Sequence, residues 1–226
     1  VPLLEEEDRQ IANEVPREFK HIESIDFEHV WFSYDNNDVY ALEDFTLSIK
    51  TGEFIGIVGP SGSGKSTLLS LLMGLYKPTK GAIYINGIDI ANYDSSVLRH
   101  LMGYVFQQAY LFKGSIKDNL TLFDTSISYD DMVAAAKQVN LDSMIEQLPE
   151  GYHTPVGYLG SLLSDGQKQL LAFGRTLIRN TPILLLDEAT ANIDSHTEKQ
   201  IQASIENIRG SKTIVSIAHR LSTVQD

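Results

Sequence analysis

The feature that most narrows the possible folds is Gly59-Pro60-Ser61-Gly62-Ser63-Gly64-Lys65-Ser66-Thr67, which satisfies the pattern GxxxxGK[ST] and adds a third glycine inside it. Glu53 to Val58 ahead of it is a short β-prone run, and Ser66 to Tyr76 behind it is rich in strong helix formers. A loop in that setting can curl on its glycines until its N–H groups point inward at phosphate oxygens, and the start of the following helix adds partial positive charge there. Lys65 supplies a full charge for β- and γ-phosphates, and Ser66 can place its hydroxyl on Mg²⁺. Gly59, Ser61, Gly62, Ser63, Gly64, Lys65, Ser66 and Thr67 are therefore the candidate phosphate-binding set. A Gly/Ser turn before an ordinary helix is the plain alternative, and it leaves the flanking pattern unexplained.

A phosphate loop needs a second, acidic element to hold the metal. Ile183-Leu184-Leu185-Leu186-Asp187-Glu188 supplies one, at the carboxyl end of an apolar run typical of a strand buried on both faces. Open α/β sheets bind ligands at that end. Adjacent strand residues point to opposite sides, so the two acids divide the work: Asp187 serves the metal, and Glu188 is the catalytic base facing the attacking water. Two solvated acids at a strand end are the bland alternative.

Elsewhere, Ile25, Phe27, Val30 and Phe32 lie close to a two-residue period. Phe45, Leu47 and Ile49 repeat it after an acidic turn around Asp35 to Asp38, as antiparallel strands do. Ala82 to Ile85, Met102 to Phe106 and Thr213 to Ala218 read as strands, and Asp130 to Val139, Asp142 to Leu148, Gly166 to Asn180 and Ser195 to Ile208 as helices. The alternation implies an α/β fold: a mainly parallel sheet covered on both faces, an antiparallel β subdomain, and an inserted helical subdomain spanning about 108–180.

Composition bounds the function. The 226 residues fit one large domain at about 100–200 residues per domain. Residues 1–21, acidic and broken by Pro2 and Pro16, read as a linker from something upstream, and 22–226 as the domain itself. The chain opens Val1-Pro2-Leu3-Leu4, without an initiating methionine or a signal pattern, and is expected to be a piece of a longer one. A net charge of −12 disfavours a protein that coats nucleic acid, so the phosphate site must be local. Cysteine is absent, which excludes disulfides, thiolate zinc sites and cysteine nucleophiles. The longest apolar stretches fall short of the roughly 20 residues that cross a bilayer.

With further motifs in order, the chain resembles the nucleotide-binding domain of ATP-binding cassette (ABC) transporters of the exporter type, over nearly all of residues 22–226. Phe32-Ser33-Tyr34 is similar to the aromatic loop whose tyrosine stacks on adenine, although Tyr34 alone also fits a strand surface. Tyr104-Val105-Phe106-Gln107 resembles the glutamine loop, which implies Gln107 as a Mg²⁺ ligand and a sensor of the transmembrane partner; the family often has proline where Phe106 stands. Leu163-Ser164-Asp165-Gly166-Gln167 resembles the signature, Ala191-Asn192-Ile193-Asp194 the D-loop, and Ala218-His219-Arg220 the histidine switch. Ser164 and Gln167 also form a capping box in their own right. The resemblance implies that Ser164, Gly166 and Gln167 meet the γ-phosphate held by an opposite subunit, and that His219 contacts γ-phosphate on its own side. It also implies a P-loop NTPase core, ATP and Mg²⁺ as ligands, and ATP hydrolysis powering export through ATP-driven dimerisation. The implied partners are a transmembrane domain of the same or an associated chain and a second nucleotide-binding domain, at the cytoplasmic face of the cell membrane, with no nucleic acid.

Two departures matter. Asp165 replaces the first signature glycine and puts a carboxylate near a polyanion, where a like charge at about 4 Å costs roughly 4 kcal/mol at an effective dielectric near 20. Tyr158 stands where exporters often carry glutamate, which bears on contact with the transmembrane helices. A substituted signature beside an intact Glu188 resembles one half of a heterodimeric bacterial exporter, and a homodimer stays open. Two other functions remain: a nucleotide-binding regulatory subunit with little turnover, and a soluble ABC ATPase. The second would show tandem cassettes, a long coiled-coil insertion or a basic face, none of which this sequence has.

Overall fold

A strict two-residue period would place Phe27 and Val30 on opposite faces of a strand. In the computed structural model, which describes residues 22–35, 39–189 and 193–218, they lie in one strand, β1 (Ser24–Phe32), and a bulge absorbs the skip. Register shifts between Phe27 and Val30, and His29 takes φ 47°. Ile25, Phe27, Val30 and Phe32 are all buried as a result. Most of the acidic turn expected around Asp35 to Asp38 lies outside the described residues.

Among the described residues backbone contacts give two compact units: 22–103 with Thr181–Leu185 and 210–218, and Tyr104–Asn180 with Leu186–Arg209. The described elements run, after β1, as β2 (Leu42–Lys50), β3 (Phe54–Val58), α1 (Lys65–Leu72), β4 (Lys80–Ile85), β5 (Ile88–Asp89), α2 (Ser95–Leu101) and β6 (Met102–Val105). Then come α3 (Ile116–Thr121), α4 (Tyr129–Gln138), α5 (Asp142–Glu146), α6 (Asp165–Ile178), β7 (Ile183–Asp187), α7 (Ser195–Ile208) and β8 (Thr213–Ala218). Short 3₁₀ turns fill several of the connections.

The first unit holds an antiparallel sheet in the order β2-β1-β4-β5. It also holds the pairing at one edge of the second sheet, in which β3 and β8 run parallel, within the order β3-β8-β7-β6. Ile183, Leu184, Leu185 and Leu186 in β7 are at most 1% exposed, so this strand is covered on both faces as its unbroken apolar run predicts. Each fully buried aliphatic side chain of this kind contributes about 1.5–3 kcal/mol.

Helix ends differ from the sequence reading in instructive ways. The helix predicted from Ser66 to Tyr76 starts at Lys65 and stops at Leu72, because Gly74 turns left-handed at φ 68° and its N–H closes onto the Leu71 carbonyl. The helix predicted from Gly166 to Asn180 is Asp165–Ile178, ended by a left-handed Asn180 at φ 47°. Helix α2 lies outside the helices expected from sequence, and α3 falls within the expected helical subdomain of about 108–180 without a pattern of its own. Each is short and is opened by a side chain, Asp94 and Ser115 respectively, rather than by apolar periodicity.

In the second unit α6 packs on the other helices, and Leu170, Leu171 and Phe173 are buried along its inner face. Its Arg175 donates to the Asn119 carbonyl at 2.6 Å, the Asn119 side-chain oxygen at 2.7 Å and the Tyr110 carbonyl at 2.7 Å. Burial pushes this guanidinium down to about 10, and the oxygen acceptors are what make the buried charge tolerable. Among the described residues no helix is long and apolar enough to cross a membrane.

Candidate functional site

The candidate residues form two clusters, one in each unit. In the first, β3 ends at Val58 and α1 begins at Lys65, with the glycine-rich loop between them. Gly62 and Gly64 take φ 80° and 83°, and a Cβ on Gly64 would collide with the Ala41 carbonyl oxygen, so only glycine fits there. The α1 N-terminus has no side-chain cap and no acidic residue in its first turn, whereas α2, α3, α4, α6 and α7 are each capped by a side chain. An uncapped helix start leaves N–H donors for an anion.

Lys65 is only 8% exposed, and its ammonium folds back over the loop to donate to the carbonyls of Gly59 at 2.9 Å and Pro60 at 2.8 Å. Both of those partners are neutral, so the positive charge is held at the loop without being cancelled. Ser66 is exposed on the first turn, while Thr67 is buried and shares a 2.8 Å hydrogen bond with the Tyr34 hydroxyl. The Tyr34 ring meets Phe32 and Tyr76 edge-on, at centroid separations of 4.8 and 5.4 Å, yet the residue stays 55% exposed.

In the second unit the acids and the glutamine loop meet. Asp187 is the last residue of β7, and its carboxylate accepts from the Tyr104 hydroxyl at 2.7 Å. Burial, reinforced by that carboxylate, pushes the Tyr104 phenol well above its usual range, so it remains a donor. Glu188 is not a strand residue: it takes φ 48°, a left-handed conformation that costs a non-glycine residue roughly 1–2 kcal/mol. The two acids are thus separated by a sharp turn of the chain rather than by strand alternation. Glu188 accepts from the Gln107 side-chain N–H at 2.6 Å. Between Tyr104 and Gln107, the Phe106 carbonyl accepts from Gln169 of α6 at 2.8 Å, so the whole loop is fastened.

The same helix opens with the signature. Ser164 accepts from the Gln167 N–H at 3.2 Å while the Gln167 side chain accepts from the Ser164 N–H at 2.9 Å, which is the expected capping box. Asp165 is the first helical residue; its side chain is 80% exposed and pairs with Lys168 at 2.9 Å. Asp165 thus has a cation beside it and sits at the helix end where a carboxylate is favoured. Gly166 is needed for close approach, since a Cβ would lie 2.6 Å from the Thr197 hydroxyl. Thr197 is itself fixed by Asp194, which accepts its N–H at 2.9 Å and its hydroxyl at 2.7 Å. Those bonds, the Thr197 N–H first, hold the Asp194 carboxyl below its usual range.

His219, Arg220, Ala191 and Asn192 lie outside the described residues. Tyr104, Gln169, Lys168, Thr197 and Tyr76 enter the clusters without having been singled out from sequence. Tyr104 and Gln169 act across 83 and 63 residues, separations that no local pattern reveals. Lys168 could have been found, as a cation three residues after Asp165 on a helix.

Residues 42–191 match the family model described as ABC transporter. The chain is 45% identical over 202 residues to a toxin RTX-III translocation ATP-binding protein of Actinobacillus pleuropneumoniae, covering 89% of this chain and 28% of that protein. It is 42% identical over 203 residues to an ATP-dependent lipid A-core flippase of Alkalilimnicola ehrlichii, covering 89% and 34% respectively. A solved structure of a bacterial Atm1-family ABC exporter with ATP bound matches at a TM-score of 0.84 and 41% identity, over 91% of this chain and 36% of that one. This chain spans between 16% and 40% of the length of the curated relatives it matches here. Fold, motif order and these likenesses agree that the chain belongs to the ABC transporter family and carries its ATP-binding region.

Proposed function

We propose that this chain binds and hydrolyses Mg-ATP and, by ATP-driven dimerisation, powers export through a transmembrane domain at the cytoplasmic face of a membrane. The observation that carries the reading is the uncancelled Lys65 ammonium held over its own loop at an uncapped helix start that follows a glycine-rich turn. Lys65 and the loop N–H groups bind the β- and γ-phosphates, and Tyr34 offers its open ring face to the base. Ser66, Asp187 and Gln107 present a hydroxyl, a carboxylate and an amide oxygen, the hard oxygen donors that suit Mg²⁺. When bound, the ion supplies neutralisation of charge developing on the phosphates. Glu188 accepts the proton of the attacking water, and in the present structure its carboxylate is engaged by Gln107. His219 contributes a further γ-phosphate contact.

Ser164, Gly166 and Gln167, at the start of α6, serve the nucleotide of a second nucleotide-binding domain. The helical subdomain of about 108–180 faces the transmembrane partner, and residues 1–21 lead from it. The exporter reading draws on the likeness to the flippase, the toxin translocator and the solved exporter. Phosphate release from Mg-ATP, measured on the chain alone and mixed with candidate partner domains, tests it: turnover that depends on Glu188 supports the reading, and turnover indifferent to Glu188→Gln contradicts it. A Mg-dependent ATP binder with no turnover under any pairing would favour the regulatory alternative.

A further inference from the structure

The segment that recognises phosphate is approached both by the residue before β2 and by the ring proposed to stack on the base. The Ala41 carbonyl abuts Gly64, at the position where any Cβ would collide, and the Thr67 hydroxyl shares its 2.8 Å bond with Tyr34. Thr67 is 6% exposed, on the first turn of α1 directly after Lys65 and Ser66. Tyr34 is 55% exposed, and Phe32 and Tyr76 stand perpendicular to it at centroid separations of 4.8 and 5.4 Å. Edge contacts limit where the ring sits, but they leave its rotation about the Cβ–Cγ bond and its tilt to be set by something directional. A hydroxyl-to-hydroxyl bond at the far end of the ring is directional.

We infer that Thr67 is a positioning residue for Tyr34: its hydroxyl holds the phenol so that the open ring face is set for a purine before nucleotide arrives, and it couples base recognition to the first turn of the phosphate-binding helix. The inference rests on the nucleotide-binding reading above. It assigns the Thr67 side chain to the base half of the ligand, although its position in the motif assigns it to the phosphates. A group held in place in advance spares the ligand the ordering cost, so the bond registers as affinity. One neutral hydrogen bond corresponds to about three- to tenfold in binding.

Calorimetric titration of the chain with ATP and with inorganic triphosphate, alongside thermal melting of each variant, tests this. The variants are Thr67→Val, which keeps shape and branching; Thr67→Ser, which keeps the hydroxyl; Tyr34→Phe, which keeps the ring; and the Tyr34→Phe/Thr67→Val double. The expected result is that Thr67→Val and Tyr34→Phe each weaken ATP by about three- to tenfold more than they weaken triphosphate. The double variant should be no worse than either single one, and Thr67→Ser should bind ATP like the unmodified chain. Parallel loss of triphosphate and ATP in Thr67→Val, or losses that multiply in the double variant, would overturn the inference while leaving the nucleotide reading intact. An unmodified chain that binds neither ligand would overturn both.

Discussion

Replacing Tyr104 by Phe removes one hydroxyl and nothing else from the acidic cluster. The ring and its contact with Phe106, at a centroid separation of 4.4 Å, are retained. What is lost is the 2.7 Å bond to Asp187. Hydrogen bonds to charged acceptors contribute about 1.5–3 kcal/mol, and because both partners are only part-buried, water can replace some of it, which favours about 1–2 kcal/mol. For a chain of this size that is roughly 2–8 °C in melting temperature. The pH dependence has a definite sign. The folded phenol is raised above its ordinary value of 10.0, so its contribution is complete below that pH and is lost as pH climbs past it. The unmodified chain should therefore lose stability in alkali more steeply than the Tyr104→Phe variant, as thermal melts from neutral to strongly alkaline pH would read. A second readout is the Mg²⁺ concentration at half-saturation of ATP binding, expected to rise several-fold once Asp187 is less firmly oriented. If melting temperature, alkaline slope and Mg²⁺ midpoint were all unchanged, Asp187 would be oriented by other contacts and the role given to Tyr104 would be withdrawn.

Glu188→Gln should retain ATP binding and lose about 10²–10⁴ in turnover, the usual worth of a general base, measured as phosphate release in a competent dimer. Asp165→Gly should strengthen ATP-dependent self-association, measured by light scattering, and Lys168→Ala should weaken it by leaving the carboxylate unpaired; strong ATP-driven homodimers of the unmodified chain would mean that the Asp165–Lys168 pair is tolerated and that a homodimer is workable. Gly64→Ala should cost more than about 2 kcal/mol in urea unfolding, since a left-handed alanine alone costs about 1–2 kcal/mol and the collision with Ala41 adds to it; a smaller loss would mean that the Ala41 segment yields.

The parts of this fold that were legible in sequence are those with a short-range cause. The phosphate loop, the capping box at Ser164 and Gln167, the apolar run of β7, and the exact bounds of α7 and β8 all follow from spacing within one element. The bulge at His29 was visible only as a skipped residue, and its meaning depended on strands that pair on both sides. Glu188 shows the opposite case. Alternation along a strand is not what sets it apart from Asp187: β7 ends at Asp187, and Glu188 follows in a left-handed turn with a different partner. Tyr104, Gln169 and Thr197 were illegible for the same cause: each is defined by a partner far away in sequence, Asp187, Phe106 and Gly166 respectively. Asp165 was legible as a departure, but its energetic weight was not, since it depends on Lys168 one turn further along the helix.

The most direct test of the central claim is a calorimetric comparison of ATP and adenosine binding in the unmodified chain and in Lys65→Ala. The account predicts that the unmodified chain binds ATP, more tightly with Mg²⁺ than without it, and that Lys65→Ala weakens ATP far more than adenosine, because only ATP carries the β- and γ-phosphates that the Lys65 ammonium is held to meet. Equal losses for ATP and adenosine, or no ATP binding by the unmodified chain, would contradict it.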